Sequence, residues 1–149
     1  MLHQDVVVFG LLCWSWACLA VDKPTVFNLM RDRGTPTDEL IHEHFDQLYN
    51  VVDINGRERA FKLARGIRGF GPTKPVYAEG RCSSGNVLVL YVITADGSVA
   101  SAYPAKSTDR VLSDAAVQSM TQRWFQPAEV DGKAAATLAA TRFTFDCPS

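Results

Sequence analysis

The sequence predicts an α+β fold in which a three-stranded antiparallel sheet carries a helix on one face. Residues 87–93 are a run of β-branched, aliphatic and aromatic side chains that suits a buried strand. Asp96-Gly97 follows this run and favours a hairpin turn, because glycine accepts the positive φ that such turns need. Beyond the hairpin, apolar residues recur at helical spacing until Pro127 ends the pattern.

These elements follow in the order strand, strand, helix, strand. The second strand is predicted over residues 99–105, the helix over residues 113–123, and the last strand over residues 138–145, after the Asp131-Gly132 turn. The apolar positions of the helix are Leu112, Ala116, Val117, Met120 and Trp124. A helix that crosses back after a hairpin places the last strand antiparallel beside the first. The predicted strand order is therefore 2-1-3.

Both faces of the first strand are apolar, so both need to be covered. A sheet with one solvated face alternates apolar and polar residues, and residues 87–93 do not alternate. Because the helix after the hairpin covers one face, the other needs an N-terminal helix, another subunit or a partner. We expect the N-terminal helix, over residues 36–52, to cover it. Thr35 can cap that helix and Pro36 suits its first position, whereas Asn55-Gly56 ends it.

Residues 57–65 admit two interpretations. Their apolar residues favour a second, shorter helix, whereas Asn55-Gly56 could instead join residues 51–54 to residues 57–63 in a hairpin. We prefer the helix. Glycines and prolines between residues 66 and 75 then separate an N-terminal helical segment and linker, residues 21–71, from a C-terminal domain, residues 72–149.

The charge of the chain does not indicate a nucleic-acid ligand. The formal net charge is −1. Residues 57–81 carry seven basic and two acidic residues, a net charge of +5, and residues 21–56 carry three basic and seven acidic residues, a net charge of −4. Segments of opposite charge are typical of neighbouring solvated faces.

The N-terminus resembles a secretory signal. Residues 6–20 form an apolar run of suitable length, and Cys18-Leu19-Ala20 is an acceptable cleavage site. We predict that residues 1–20 are a signal peptide and that the mature chain begins at Val21. Anchoring by uncleaved residues 6–21 is an alternative, although roughly 20 apolar residues are needed to span a bilayer. A lipid anchor at Cys18 is a third possibility.

Cleavage leaves two cysteines, Cys82 and Cys147, and an even number suits an oxidising compartment. The predicted topology places the start of the first strand beside the end of the last, so we expect a disulfide between Cys82 and Cys147. No catalytic constellation is recognisable. His42 and His44 are two residues apart on a predicted helix and point in different directions, and Ser83 lacks a nucleophile elbow. We predict no enzyme activity, no cofactor and no metal.

A longer ordered pattern runs through the second half of the chain. It reads Gly85-x-Val87-x-Val89-x-Tyr91-x-Ile93-x-x-Asp96-Gly97-x-Val99, then Phe125-Gln126-Pro127-Ala128, Gly132 and Phe143-x-Phe145. This set resembles the TonB C-terminal domain family over residues 72–147. One position departs from the family pattern, because Arg123 stands four residues before the proline, where the family has tryptophan.

The resemblance implies a periplasmic protein that contacts a protein partner in the cell envelope, with an outer-membrane receptor as the candidate. Full transducers of this kind have an inner-membrane anchor and a long proline-rich spacer, which extends about 3.1 Å per residue. This chain has no proline-rich tract. We therefore expect a stand-alone binding module without force transmission. A structural protein that forms a homodimer through its sheet is the alternative.

The last strand is the expected binding site, because in the 2-1-3 order it is an edge with unpaired backbone groups. Edges are normally blunted by Lys, Pro or a bulge, whereas this strand has Arg142 alone. We expect an extended peptide to pair with it by β-augmentation, with Arg142 favouring an acidic residue. The pairing residues would be Ala139, Ala140, Thr141, Arg142, Phe143 and Thr144. Alternatively, the N-terminal segment covers this edge. Proline at Thr141 or Thr144 would remove one donor, and the sequence does not show which of the two faces outward.

Overall fold

The computed structural model describes residues 22–30, 35–54, 59–71, 75 and 81–147. Within these ranges the chain is α+β, with two helices and ten strands. In chain order they are β1 (Thr25–Asn28), α1 (Thr35–Phe45), β2 (Asn50–Asp53), β3 (Phe61–Lys62), β4 (Arg65–Arg68), β5 (Gly85–Ile93), β6 (Val99–Ser107), α2 (Arg110–Thr121), β7 (Trp124–Gln126), β8 (Ala128–Val130), β9 (Lys133–Ala135) and β10 (Thr137–Phe145).

The main sheet has five strands in the order β2-β1-β10-β5-β6. β5 lies between β6 and β10 and is antiparallel to both. β10 also pairs in parallel with β1, through Phe27 with Thr137 and Asn28 with Leu138, and β1 pairs in parallel with β2. The prediction of a three-stranded sheet is therefore wrong in number, because two N-terminal strands extend the sheet beyond β10.

The turn between β5 and β6 is fixed by Asp96 and Gly97. The Asp96 carboxylate accepts hydrogen bonds from the Thr94 hydroxyl and from the Ser98 backbone N–H, at 3.0 Å for the latter. These bonds lower the pKa of Asp96 to about 2. Gly97 has φ +93°, and a Cβ there would lie 2.0 Å from the Phe125 carbonyl oxygen. The turn is therefore held against β7, where the Phe125 N–H donates to the Gly97 carbonyl.

One face of the sheet is covered by α2. The helix begins after Asp109, whose carboxylate accepts the Val111 N–H at 2.7 Å. Its buried apolar side chains pack against alternate residues of β5. The helix ends at Thr121, earlier than predicted, because the following residues form β7 and pair with β4. Trp124 is consequently a strand residue with 38% of its surface exposed, and its assignment to the buried helical stripe is wrong.

The other face is covered by α1. Ile41 and Phe45 are fully buried against Leu90, Val92 and Leu138. The helix ends at Phe45, not at residue 52 as predicted. Residues 50–53 instead pair with β1 as β2, so their backbone groups are used in the sheet and not in a helix.

The helix predicted over residues 57–65 is also wrong. The described part of that segment contains β3, which pairs with β8, and the start of β4, which pairs with β7. β2 and β3 do not pair with each other, so the hairpin alternative fails as well. Residues 1–21, which contain the predicted signal peptide and the alternative anchor at 6–21, lie outside the described residues, as does Asn55-Gly56. In the described ranges, no helix is long and apolar enough to cross a membrane.

Candidate functional site

The six residues predicted to bind a peptide, 139–144, all lie in β10. One edge of β10 pairs with β5 in an unbroken register from Thr137 with Ile93 to Phe145 with Gly85. The opposite edge meets β1 only at Thr137 and Leu138. From Ala139 onward, no other strand of the described residues lies along this outer edge.

The hydrogen bonds to β1 show which residues of β10 face outward. The Phe27 N–H donates to the Ala136 carbonyl at 2.9 Å, so even-numbered residues direct their backbone groups toward β1. Successive residues of a strand present these groups to opposite edges. Because the register with β5 is unbroken, Ala140, Arg142 and Thr144 face outward. Thr141, by contrast, faces β5.

β1 stops at Asn28 because that side chain turns the backbone away from β10. The Asn28 side-chain oxygen, Oδ1, accepts the Met30 N–H at 3.1 Å, which is the local bond of an Asx turn. The same side chain donates to the Asp53 carboxylate at 2.8 Å, which ties the turn to β2. Residues 31–34 lie outside the described ranges. Within those ranges, the N-terminal segment covers only the first two residues of β10.

An apolar cleft of about 560 Å³ opens where β1 leaves β10. Leu29 and Met30 line one side of it, and Leu63 and Ala64 line another. Leu63 is 65% exposed, so an apolar side chain entering the cleft would cover surface that otherwise contacts water. The cleft includes Ala139 and Ala140. It therefore lies at the start of the open edge, which is the outer edge of β10 from Ala139 to Phe145.

The two faces of β10 differ in exposure. On the α2 side, Phe143 and Phe145 are buried, and the Thr141 hydroxyl hydrogen-bonds to the Tyr91 hydroxyl at 2.9 Å. Burial raises the pKa of Tyr91, and the bond to Thr141 partly offsets this. On the α1 side, Arg142 and Thr144 are exposed. The open edge therefore has a buried aromatic face and a polar face.

Arg123 lies beside the buried aromatic face and was not predicted as a site residue. Its guanidinium carbon is 4.6 Å from the centre of the Phe70 ring and 4.8 Å from that of Phe143. Its Nε is buried and has no hydrogen-bond partner among the described residues. Burial lowers the pKa of Arg123. The sequence signal for this residue is its departure from the family pattern, in which tryptophan occupies the position.

Cys82 and Cys147 form the predicted disulfide, with Cα atoms 5.8 Å apart and 65 residues apart in sequence. Cys82 precedes β5 and Cys147 follows β10, so the bond closes the far end of the β5–β10 pair. It anchors the end of β10 that β1 does not reach.

The described geometry is that of a strand edge, and comparison with known proteins identifies its family. The Gram-negative bacterial TonB protein C-terminal family matches residues 72–147, just over half of the chain. The chain belongs to this family. It is also similar to the TonB CTD of Pseudomonas aeruginosa, solved by solution NMR, with 31% identity over 58% of this chain and 88% of that chain and a TM-score of 0.47. No curated protein matches the chain.

Membership in the TonB C-terminal family connects the chain with TonB-type transport at the Gram-negative cell envelope. It also indicates protein partners there, such as outer-membrane receptors. The comparisons give no support to the homodimer that the sequence left open.

Proposed function

We propose that this chain is a periplasmic TonB-like module that binds an extended protein segment along the outer edge of β10. The observation that supports the proposal is the set of outward-facing backbone groups of Ala140, Arg142 and Thr144, which have no partner strand among the described residues. A partner of this kind would be offered by an outer-membrane receptor.

The bound segment would take the place in the sheet that β1 leaves at Asn28. It would lie about 4.8 Å from β10, the normal spacing of paired strands. Three outward residues provide three N–H donors and three carbonyl acceptors, and these give affinity without a requirement for sequence. β10 contains no Lys or Pro, and its pairing with β5 has no bulge, so the edge lacks the usual protection against strand addition.

Side chains of the bound segment would supply specificity. Arg142 is exposed on the α1 side of β10 and would favour an acidic residue on that face. The cleft at Ala139 and Ala140 would accept an apolar residue where the segment approaches β1. The segment would therefore combine an extended backbone with one apolar and one acidic position.

We also propose that the chain acts in the periplasm after removal of residues 1–20. The disulfide between Cys82 and Cys147 supports an oxidising compartment. Mass spectrometry of the protein from the envelope fraction should find a mature start at Val21 and no free thiol at either cysteine. Recovery of the protein only in the cytosol, with Met1 intact and both thiols free, would contradict this.

Proline substitutions test the binding edge. Ala140→Pro and Thr144→Pro each remove an outward N–H, which an edge strand tolerates. We expect each to lower the free energy of unfolding by about 1 kcal/mol or less, and to weaken capture of the partner about 10-fold, because one backbone bond is lost and the ring obstructs the added strand. Capture of solubilised outer-membrane proteins by each immobilised variant, quantified by mass spectrometry, measures this.

Thr141→Pro is the matched control, since it makes the same substitution as Thr144→Pro on an inward-facing residue. It removes a bond to β5 and should destabilise the fold by about 2–4 kcal/mol. Circular dichroism and urea unfolding establish which variants are folded. Normal capture by folded Ala140→Pro and Thr144→Pro proteins would show that the partner binds elsewhere.

A further inference from the structure

We infer that Arg123 binds a carboxylate of the added segment on the α2 side of the sheet, opposite to Arg142. This inference rests on the proposed strand addition at β10. It assigns a ligand class, an Asp or Glu side chain, to a residue that neither the family match nor the sequence analysis identified as a binding residue.

Arg123 adds to the cover that α2 gives to the β10 part of this face. α2 packs over β5 and β6, so the part of the same face that belongs to β10 needs other cover. Phe143 is nevertheless only 8% exposed, and the Arg123 guanidinium lies 4.8 Å from its ring. Phe70, the second ring that contacts the guanidinium, is 48% exposed. Arg123 therefore contacts the α2-side face of β10, the strand with which the added segment would pair.

Arg123 combines two aromatic contacts with a hydrogen-bonding capacity that the described residues do not use. The guanidinium carbon lies over both rings, 4.6 Å from the centre of Phe70 and 4.8 Å from that of Phe143. Its Nε is buried and has no hydrogen-bond partner among the described residues, and the two terminal nitrogens of a guanidinium form a planar fork of donors. A carboxylate accepts two parallel hydrogen bonds from such a fork. The described residues form no ion pair with Arg123, so this capacity is unused within them.

The alternation of side chains in a strand separates the two cations. Residues of an added strand point in turn to the α1 side and to the α2 side. Those on the α1 side approach Arg142, and those on the α2 side approach Arg123, which contacts the neighbouring residue Phe143. If one acidic residue of the segment binds Arg123 and another binds Arg142, their sequence positions must therefore differ by an odd number. If Arg142 alone bound an acidic residue of the segment, no such spacing would be required.

Synthetic peptides with alternating valine and threonine test this assignment. Valine prefers the apolar α2 side and threonine the polar α1 side, so the pattern sets the face of each residue. One Glu is placed at a valine position or at a threonine position, and the matched Gln peptide serves as reference. We expect the unmodified protein to bind each Glu peptide about 10-fold more tightly, in Kd, than the matched Gln peptide. Arg123→Gln should abolish this preference at valine positions and leave it intact at threonine positions. Arg142→Gln should do the reverse.

Arg68→Gln is the matched control, because it removes the same charge from a guanidinium that stacks on Trp124 instead, at 5.5 Å. It should leave both preferences intact. Full preference for Glu at valine positions in a folded Arg123→Gln protein would overturn the inference and leave edge pairing standing. Absence of binding by any peptide would overturn both.

The Arg123 Nε–Hε resonance gives a second readout. It should shift when a peptide with Glu at a valine position is added, and shift less with the Gln peptide. Glu58 and Glu79 lie outside the described residues. A shift of this resonance in Glu58→Gln or Glu79→Gln without peptide would show that Arg123 binds a carboxylate of its own chain, and would overturn the inference.

Discussion

The two ends of β10 lie in different environments although they belong to one continuous strand. At the start, Thr137 and Leu138 are each 3% exposed and are paired with β5 on one edge and β1 on the other. At the end, Arg142 and Thr144 are exposed, and among the described strands only β5 pairs with them. The difference comes from the neighbouring strand, since Asn28 turns β1 away after two residue pairs. Edge status is thus a property of single residues and not of whole strands.

This difference connects stability with binding. The start of β10 is held by two neighbouring strands and by the α1 core, in which Leu138 is buried with Ile41 and Phe45. The end has outward backbone groups that no described strand pairs with, and it is held instead by β5, by aromatic packing and by the disulfide. This end of β10 can stay ordered without a second neighbouring strand, because β5, aromatic packing and the disulfide hold it in place.

Removal of the disulfide should have the largest effect on stability and should change the two ends of β10 unequally. In the chain-entropy model, a bond that closes a 65-residue separation contributes about 4 kcal/mol. We expect Cys82→Ser/Cys147→Ser to lower the free energy of unfolding by about that amount in urea unfolding. The loss of local protection should be greatest at the open end, so hydrogen exchange should accelerate more at Phe143 and Phe145 than at Thr137.

Equal acceleration at all three amides would contradict the view that the disulfide replaces a neighbouring strand at the open end. The single variants Cys82→Ser and Cys147→Ser serve as controls, because each removes the same bond while it leaves one thiol. They should unfold with the same free energy as the double variant.

Local sequence signals were sufficient for the elements that are close in sequence and failed for those that are distant. The strand at residues 87–93, the Asp96-Gly97 turn and the last strand are each encoded in a few neighbouring residues. Val52, by contrast, fits the apolar stripe of the helix predicted over residues 36–52, but it pairs with Phe27 of β1, which is about 25 residues away. β3 has two residues and pairs with β8, so no periodicity could indicate it.

The sequence was sufficient to predict the strand that forms the candidate site, but not the residues that surround it. Its residues are contiguous, so their pattern identified β10. Which of them face outward depends on the pairing of Phe27 with Thr137, and where β1 ends depends on the side chain of Asn28. The aromatic contacts of Arg123 likewise come from Phe70 and Phe143, which are distant in sequence. Contacts of this kind arise only from the tertiary fold.

Substitution of Asn28 should affect stability less than removal of the disulfide. It tests directly whether this side chain sets the boundary between the two ends of β10. Asn28→Ala removes the bond to Met30 and the bond to Asp53. We expect the free energy of unfolding to fall by about 1–2 kcal/mol. Without the turn, β1 can continue along β10, and the Ala140 N–H would then donate to the Leu29 carbonyl in the next parallel bridge. Hydrogen exchange at Ala140 should become slower, and capture of the partner should weaken.

Asn28→Asp separates the turn from the contact with Asp53. The aspartate oxygen still accepts the Met30 N–H, whereas the donor to Asp53 is lost and two carboxylates become neighbours. The protein should be destabilised, yet exchange at Ala140 and capture of the partner should remain as in the unmodified chain. If Ala140 exchanges at the same rate in Asn28→Ala and Asn28→Asp, the Asx turn does not hold the edge open.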